Sequence, residues 1–141
     1  MLRVVVDPGV LVSARLSGRG APAELVRCWL AGQIDIIVSP FLLDELDEVL
    51  HRPALARWVT AEEADAYIEL LRTHAIVVDD PPAEVGHTPD PDDDYLVTLA
   101  RTVRANVLVS GDADLVDLED PVPPVLTPRQ LIDLLDQIER P

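Results

Sequence analysis

Lysine is missing altogether from this 141-residue chain, and all 11 of its basic residues are arginine. That absence removes several chemistries. A phosphate loop of the Gly-Lys-Ser/Thr type, a kinase with its strand lysine and an enzyme that forms a Schiff base on an amine are all excluded. Cysteine is reduced to one residue, Cys28. No internal disulfide can form, which fits a reducing cytoplasm. No apolar run reaches the roughly 18 residues of a membrane span, so a spanning protein is excluded. The N-terminus runs Met1-Leu2-Arg3, Val4-Val5-Val6 and then Asp7. It lacks the apolar length and the small-residue cleavage site of a signal peptide and reads as a first strand. Basic charge is scarce as well: 26 acidic residues face 11 arginines, a net charge of −15. Such a surface repels nucleic acid over most of its area. Action on a polyanion would need a local source of positive charge, and a divalent metal is the natural one.

What is present is ordinary globular material. With 48% apolar and 26% charged residues, the chain is expected to form one domain over 1–141 with a sizeable core. Short β-branched runs alternate with helical patterns. Strands are expected at Arg3 to Val6, Ile34 to Val38, Ile76 to Val78, Val107 to Val109 and Val125-Leu126. Helices are expected from Ala23 to Ala31, closed by Gly32, and from Pro40 to about His51 behind a Ser39 cap. A further helix follows the Thr60-Ala61-Glu62-Glu63 capping box to about Thr73. The region around Ala54 to Val59 suggests one short turn, and Asp79 to Asp94 reads as a loop. Helices then run to about Arg104, around Leu115, and from Thr127-Pro128 to about Glu139. Asp7-Pro8-Gly9 reads as a strand exit into a loop that carries Arg15 and Arg19. The alternation argues for a mostly parallel α/β sheet with helices on both faces, whose ligands lie beyond the strand C-termini.

That rule selects among the acids. Asp7 follows the first strand, Asp112 follows Val107 to Val109, and Asp94 stands near the start of the helix that feeds that strand. Glu45 is in the second turn of the helix after the second strand. At about 100° per residue, it falls on the margin of the Leu42, Leu46 and Val49 stripe, whereas Asp44, Asp47 and Glu48 point outward. Carboxylates converging at one edge suit one or two Mg²⁺ or Mn²⁺ ions, which prefer oxygen ligands. For any one aspartate, capping a helix or forming a turn ranks ahead of metal binding, and helix phase does not choose among Asp92, Asp93 and Asp94. His51, His74 and His87 are not required for this chemistry, and Cys28 beside Trp29 reads as core. A dehalogenase-type phosphatase would need an aspartate where Gly9 stands. A receiver domain would need a lysine. An EF-hand loop from Asp90 would need a glutamate where Arg101 stands.

Four stretches resemble a known family. Asp7-Pro8-Gly9-Val10-Leu11-Val12-Ser13-Ala14, followed by Glu45 within Ser39-Pro40-Phe41-Leu42-Leu43-Asp44-Glu45-Leu46, is similar to the start of a PIN domain. Asp90-Pro91-Asp92-Asp93-Asp94-Tyr95-Leu96-Val97 with Val107-Leu108-Val109-Ser110-Gly111-Asp112-Ala113-Asp114-Leu115 resembles its second half. The likeness spans the chain and is greatest to VapC-like toxin ribonucleases of toxin–antitoxin systems. It implies a three-layer α/β/α fold with a central parallel sheet of four to five strands, order 3-2-1-4-5. It also implies Mg²⁺- or Mn²⁺-dependent hydrolysis of RNA by Asp7, Glu45, Asp94 and Asp112, with Asp114 as a further metal residue. The spacing of 18 residues from Asp94 to Asp112 matches the family's usual one. A homodimer, an RNA substrate and a cognate antitoxin protein are implied as partners. Arg15 and Arg19 are candidates for contact with RNA phosphate. Pro8-Gly9 departs from the family's usual Thr-Asn or Ser-Asn, whose side chains orient the first carboxylate. The alternative is a catalytically inactive PIN scaffold that binds protein or RNA.

Overall fold

A computed structural model of the chain describes residues 1–82, 91–118 and 123–139. Five strands, β1 (Leu2–Val6), β2 (Ile34–Val38), β3 (Ile76–Val77), β4 (Val107–Val109) and β5 (Val125–Leu126), form one sheet in the order β3-β2-β1-β4-β5. Every pairing is parallel. A parallel sheet is covered on both faces, so its central strands become continuous apolar runs. Accordingly Val4, Val5, Val6, Ile36, Ile37 and Val109 are all fully buried. The edge strand β3 is exposed at Ile76 and Val77.

Between strands the chain forms α1 (Pro8–Leu16), α2 (Ala21–Leu30), α3 (Pro40–Leu50), α4 (Ala61–His74), α5 (Pro91–Thr102), α6 (Ala113–Val116) and, after β5, α7 (Pro128–Glu139). From β1 the chain steps outward to β2 and β3, then returns past them to β4 and steps on to β5. Right-handed crossovers place α5 on the face opposite α1–α4. In agreement, α1 packs on α2 and α3, α3 packs on α4, and α5 lies against β1 and β4. The reversal of direction between β1 and β4 creates a switch point, and the crevice beyond those two strand ends is where such sheets hold ligands.

Sequence signals explain several helix ends. Ser39 Oγ accepts from Leu42 N–H at 3.4 Å at the start of α3. Thr60 and Glu63 make both bonds of their capping box, each at 3.1 Å. Gly32, at φ +79°, closes α2, and Gln33 N–H returns to the Cys28 carbonyl at 2.9 Å. This left-handed closure is what glycine permits without strain.

Four expectations need correction. Asp7-Pro8-Gly9 opens helix α1 instead of a loop: Asp7 is its N-cap and Pro8 its first residue, where the missing proline N–H costs nothing. Arg15 therefore sits in the last turn of a helix, and only Arg19 lies in the following loop. Helix α5 begins at Pro91, earlier than the acidic composition suggested, again with proline at a helix start. The turn expected over Ala54 to Val59 is a 3-10 turn at Pro53–Leu55. Cys28 is only half-buried, on the margin of the core.

Candidate functional site

At the switch point Asp7 directly follows β1, and its backbone N–H donates to the Val109 carbonyl of β4 at 2.9 Å. Its carboxylate is held at both oxygens. Oδ1 accepts from Gly9 N–H at 2.9 Å, and Oδ2 accepts from the Ser110 hydroxyl at 2.9 Å. The departure at Pro8-Gly9 thus leaves the first carboxylate oriented by a backbone amide and by a serine from the neighbouring strand end. Ser110 is fully buried, and its oxygen also accepts from Asp112 N–H at 3.0 Å. One hydroxyl therefore ties Asp7 to the backbone of Asp112. Asp112 caps α6, its Oδ1 accepting from Asp114 N–H at 2.9 Å. Asp112 and Asp114 are both exposed.

Asp94 lies in the first turns of α5 with 4% exposure, and Thr98, one turn further on, has 2%. A carboxylate buried to that degree requires donors or a cation. Asp90 and the side chains of Asp92 and Asp93 lie outside the described residues, as does His87. Tyr95 bonds through its hydroxyl to Ser39 Oγ at the cap of α3 and to Asp80 Oδ1. Asp80 also accepts from Phe41 N–H at 3.2 Å, and the Phe41 and Tyr95 rings pack with centroids 4.5 Å apart. Burial raises the Tyr95 pKa, the Asp80 bond raises it further, and the charge of Glu45 adds to the same direction. The start of α5 is thereby bound to the start of α3, whose second turn carries the half-buried Glu45.

Of the two arginines singled out in the sequence, Arg15 pairs with Glu63 of α4 at 2.6 Å. Arg19 is exposed in the loop between α1 and α2. The arginine that lines the crevice is a different one, Arg129 in the first turn of α7. A cleft of about 480 Å³ opens beside Asp7 and Asp112, walled by Gly9, Pro22 and Pro128 and lined also by Arg129. The only signal for Arg129 was its place just after the last strand, at the sheet edge, and the packing of α7 on α2 and β5 completes that wall of the crevice.

Among the described residues, the group of three metal-ligand types whose atoms all lie within 4.8 Å of one another is Asp47, His51 and Asp65, not three of the expected acids. His51 Nδ1 bonds to the Asp47 carbonyl at 2.8 Å, and Nε2 lies 3.0 Å from Asp65 Oδ1. Both ring nitrogens face acceptors, so the protonated ring satisfies them. The Asp47 carbonyl bond is the main cause of a raised pKa, with the Asp47 and Asp65 charges adding to it. Among the described residues, no helix is long and apolar enough to cross a membrane.

Comparison with known proteins agrees with this architecture. A family model described as a PIN domain matches residues 3–114. The protein MJ1680 of Methanocaldococcus jannaschii, itself uncharacterised, is 25% identical over 119 residues, spanning 84% of this chain and 76% of the relative. PAE2754 from Pyrobaculum aerophilum superposes with a TM-score of 0.67 at 17% identity, covering 96% of this chain and 90% of that one. VapBC2 from Rickettsia felis, solved with a DNA fragment from its promoter, gives 0.61 at 12% identity, covering 89% of this chain and 98% of that one.

Proposed function

This chain belongs to the PIN domain family, and from that premise we propose that it is a divalent-metal-dependent endoribonuclease, the toxin of a toxin–antitoxin pair. PIN domains are in general nucleases. The observation that carries the reading is the pair Asp7 and Asp112, set at the β1/β4 switch point, joined through Ser110 and opening onto one cleft. With Glu45 and the buried Asp94 they supply only hard oxygen donors, which fits Mg²⁺ or Mn²⁺. Asp114, exposed in the first turn of α6, would serve as an outer member of the same set. When bound, such an ion supplies Lewis acidity toward the phosphoryl oxygens and makes water acidic enough to attack phosphorus near neutral pH.

The chain's own groups have distinct tasks in this reading. Asp7 and Asp112 neutralise the cation at the sheet edge, each fixed by a backbone amide that bonds one carboxylate oxygen. Ser110 keeps the Asp7 carboxylate in register with the Asp112 backbone. Tyr95, Ser39 and Asp80 hold α5 against α3, so that Asp94 and Glu45 keep their relative places. Arg19 is available to RNA phosphate, and Arg15 would join it only by releasing Glu63. No side chain needs to form a covalent intermediate. The net charge of −15 limits nonspecific RNA binding and favours an antitoxin segment that carries arginine. The fold shared with a VapBC2 chain supports such a partner, and a homodimer belongs to the same reading.

The test is cleavage of a mixed RNA pool by the purified chain with Mn²⁺, Mg²⁺ or EDTA, beside Asp94→Asn. The expected result is metal-dependent cutting that EDTA stops and the variant loses by about 100-fold or more. Cutting that persists in EDTA would remove the metal mechanism. If the wild-type chain does not cut at all, the inactive scaffold takes its place.

A further inference from the structure

The cleft beside Asp7 and Asp112 has a composition that metal binding does not explain. At about 480 Å³ it lies within the roughly 300–1,000 Å³ of small-molecule sites. Beyond the two carboxylates, Arg129 and the hydroxyls of Ser13 and Thr127, its walls are small or apolar, as at Gly9, Val10, Pro22, Gly111 and Pro128. Glycine at positions 9 and 111 removes two side chains from the strand-end side of the cleft, beside the two carboxylates. On the α2–α7 side stands Arg129, a cation in a chain that carries a large negative surplus. Its guanidinium pairs with Glu24 at 3.6 Å, with the two side chains 55% and 42% exposed. An ion pair that long and that wet is weak, so Arg129 can exchange Glu24 for another anion.

We infer that this cleft is a nucleoside subsite, which takes the base and sugar of the RNA nucleotide beside the scissile bond while Arg129 engages that nucleotide's neighbouring phosphate. The chemistry matches in three places. An apolar, side-chain-poor slot accepts a planar base and a sugar. The acidic side suits a phosphate that arrives with a divalent cation. The guanidinium suits a phosphate that arrives without one. An arginine-bearing peptide would gain from Asp7 and Asp112 but would meet repulsion at Arg129, so RNA is the better occupant. In this arrangement Glu24 is an internal competitor for Arg129 and tunes affinity without touching the acids. The inference takes its substrate class from the nuclease reading, but it predicts binding that does not depend on catalysis.

Adenosine and uridine 5′-monophosphates contain no phosphodiester bond and so report binding alone. Titrated into the full chain in Mg²⁺ buffer, they should shift the amide resonances of Gly9, Val10, Gly111 and Arg129 together. Arg129→Ala should weaken this binding by about tenfold or more. Glu24→Gln, by releasing the guanidinium, should tighten it roughly two- to fivefold. In buffer without Mg²⁺, inorganic phosphate should move Arg129 without the glycines. Shifts elsewhere, none at all, or affinities that neither variant changes would overturn the subsite, even in a chain that cuts RNA. Equal shifts from phosphate and nucleotides would overturn recognition of the nucleoside, and an arginine-bearing peptide that displaces the nucleotides more tightly than RNA does would assign the cleft to a protein. If the cluster of shifts appears in a chain that does not cut RNA, the subsite stands and the nuclease reading falls.

Discussion

A serine hydroxyl has one proton to donate and lone pairs to accept with, and Ser110 uses both functions at full burial. It donates to Asp7 Oδ2 and accepts from Asp112 N–H. Ser110→Ala would leave the Asp112 amide without its acceptor and one oxygen of the Asp7 carboxylate without its donor. The expected cost is about 1–3 kcal/mol of stability, read as a lower urea midpoint. Metal-dependent cleavage should fall by roughly 10- to 100-fold, because groups that orient a ligand count nearly as much as the ligand. Ser110→Thr keeps the hydroxyl and should retain cleavage. If the threonine variant fails as badly as alanine while still folding, the bridge is not what orients Asp7. In the sequence, position 110 was visible as a hydroxyl in the family's motif, but its two partners were not. Those contacts exist only because β1 and β4 lie side by side, 103 residues apart in the chain for the Asp7 bond.

Elements were legible where their ends carry local chemistry. The Ser39 cap, the Thr60/Glu63 box and the Gly32 closure each satisfy orphan backbone groups within a few residues, so the composition betrays them. Helix α1 was missed for the converse reason. Asp-Pro-Gly is as good a turn as it is a helix start, and only the docking of Val10 and Leu11 into the core decides. The α3–α4 junction hid a charged contact of the same tertiary kind, since Asp65 reaches His51 from another helix. This contact makes stability depend on pH. The His51 pKa is raised above its ordinary 6.5 in the folded chain, chiefly by the Asp47 carbonyl, with the Asp47 and Asp65 charges adding to it. Folding therefore favours the protonated ring: the contribution is complete below about pH 6.5 and fades as pH rises through the folded value. Comparing the melting temperatures of the wild-type chain and His51→Gln at pH 5.5 and pH 9 should show a larger gap at the lower pH. A gap that is equal at both values would mean that the ring acts there by packing alone.

At the scale of the whole molecule, 26 acids against 11 arginines mean that the fold works against its own repulsion. Any salt should relieve this by screening, so a rise in melting temperature with Mn²⁺ proves nothing about a site until ionic strength is matched with NaCl. A bound ion adds a second effect: stabilisation of about 2.7 kcal/mol when its concentration is 100 times the dissociation constant. Two clusters compete for that credit, the acids at the switch point and the Asp47–His51–Asp65 group between α3 and α4. Variants separate them. Replacing Asp112 with Asn removes one proposed ligand and also one repelling charge, so the variant should melt as high as or higher than wild type in NaCl. In Mn²⁺ it should lose the excess over matched NaCl that the wild-type chain shows. His51→Gln should keep that excess, since in the wild-type chain the His51 ring already occupies the space between the Asp47 and Asp65 carboxylates. If His51→Gln instead abolishes the excess and Asp112→Asn retains it, the ion binds between the helices. The switch-point acids would then be caps first, and the metal reading of the cleft would fail.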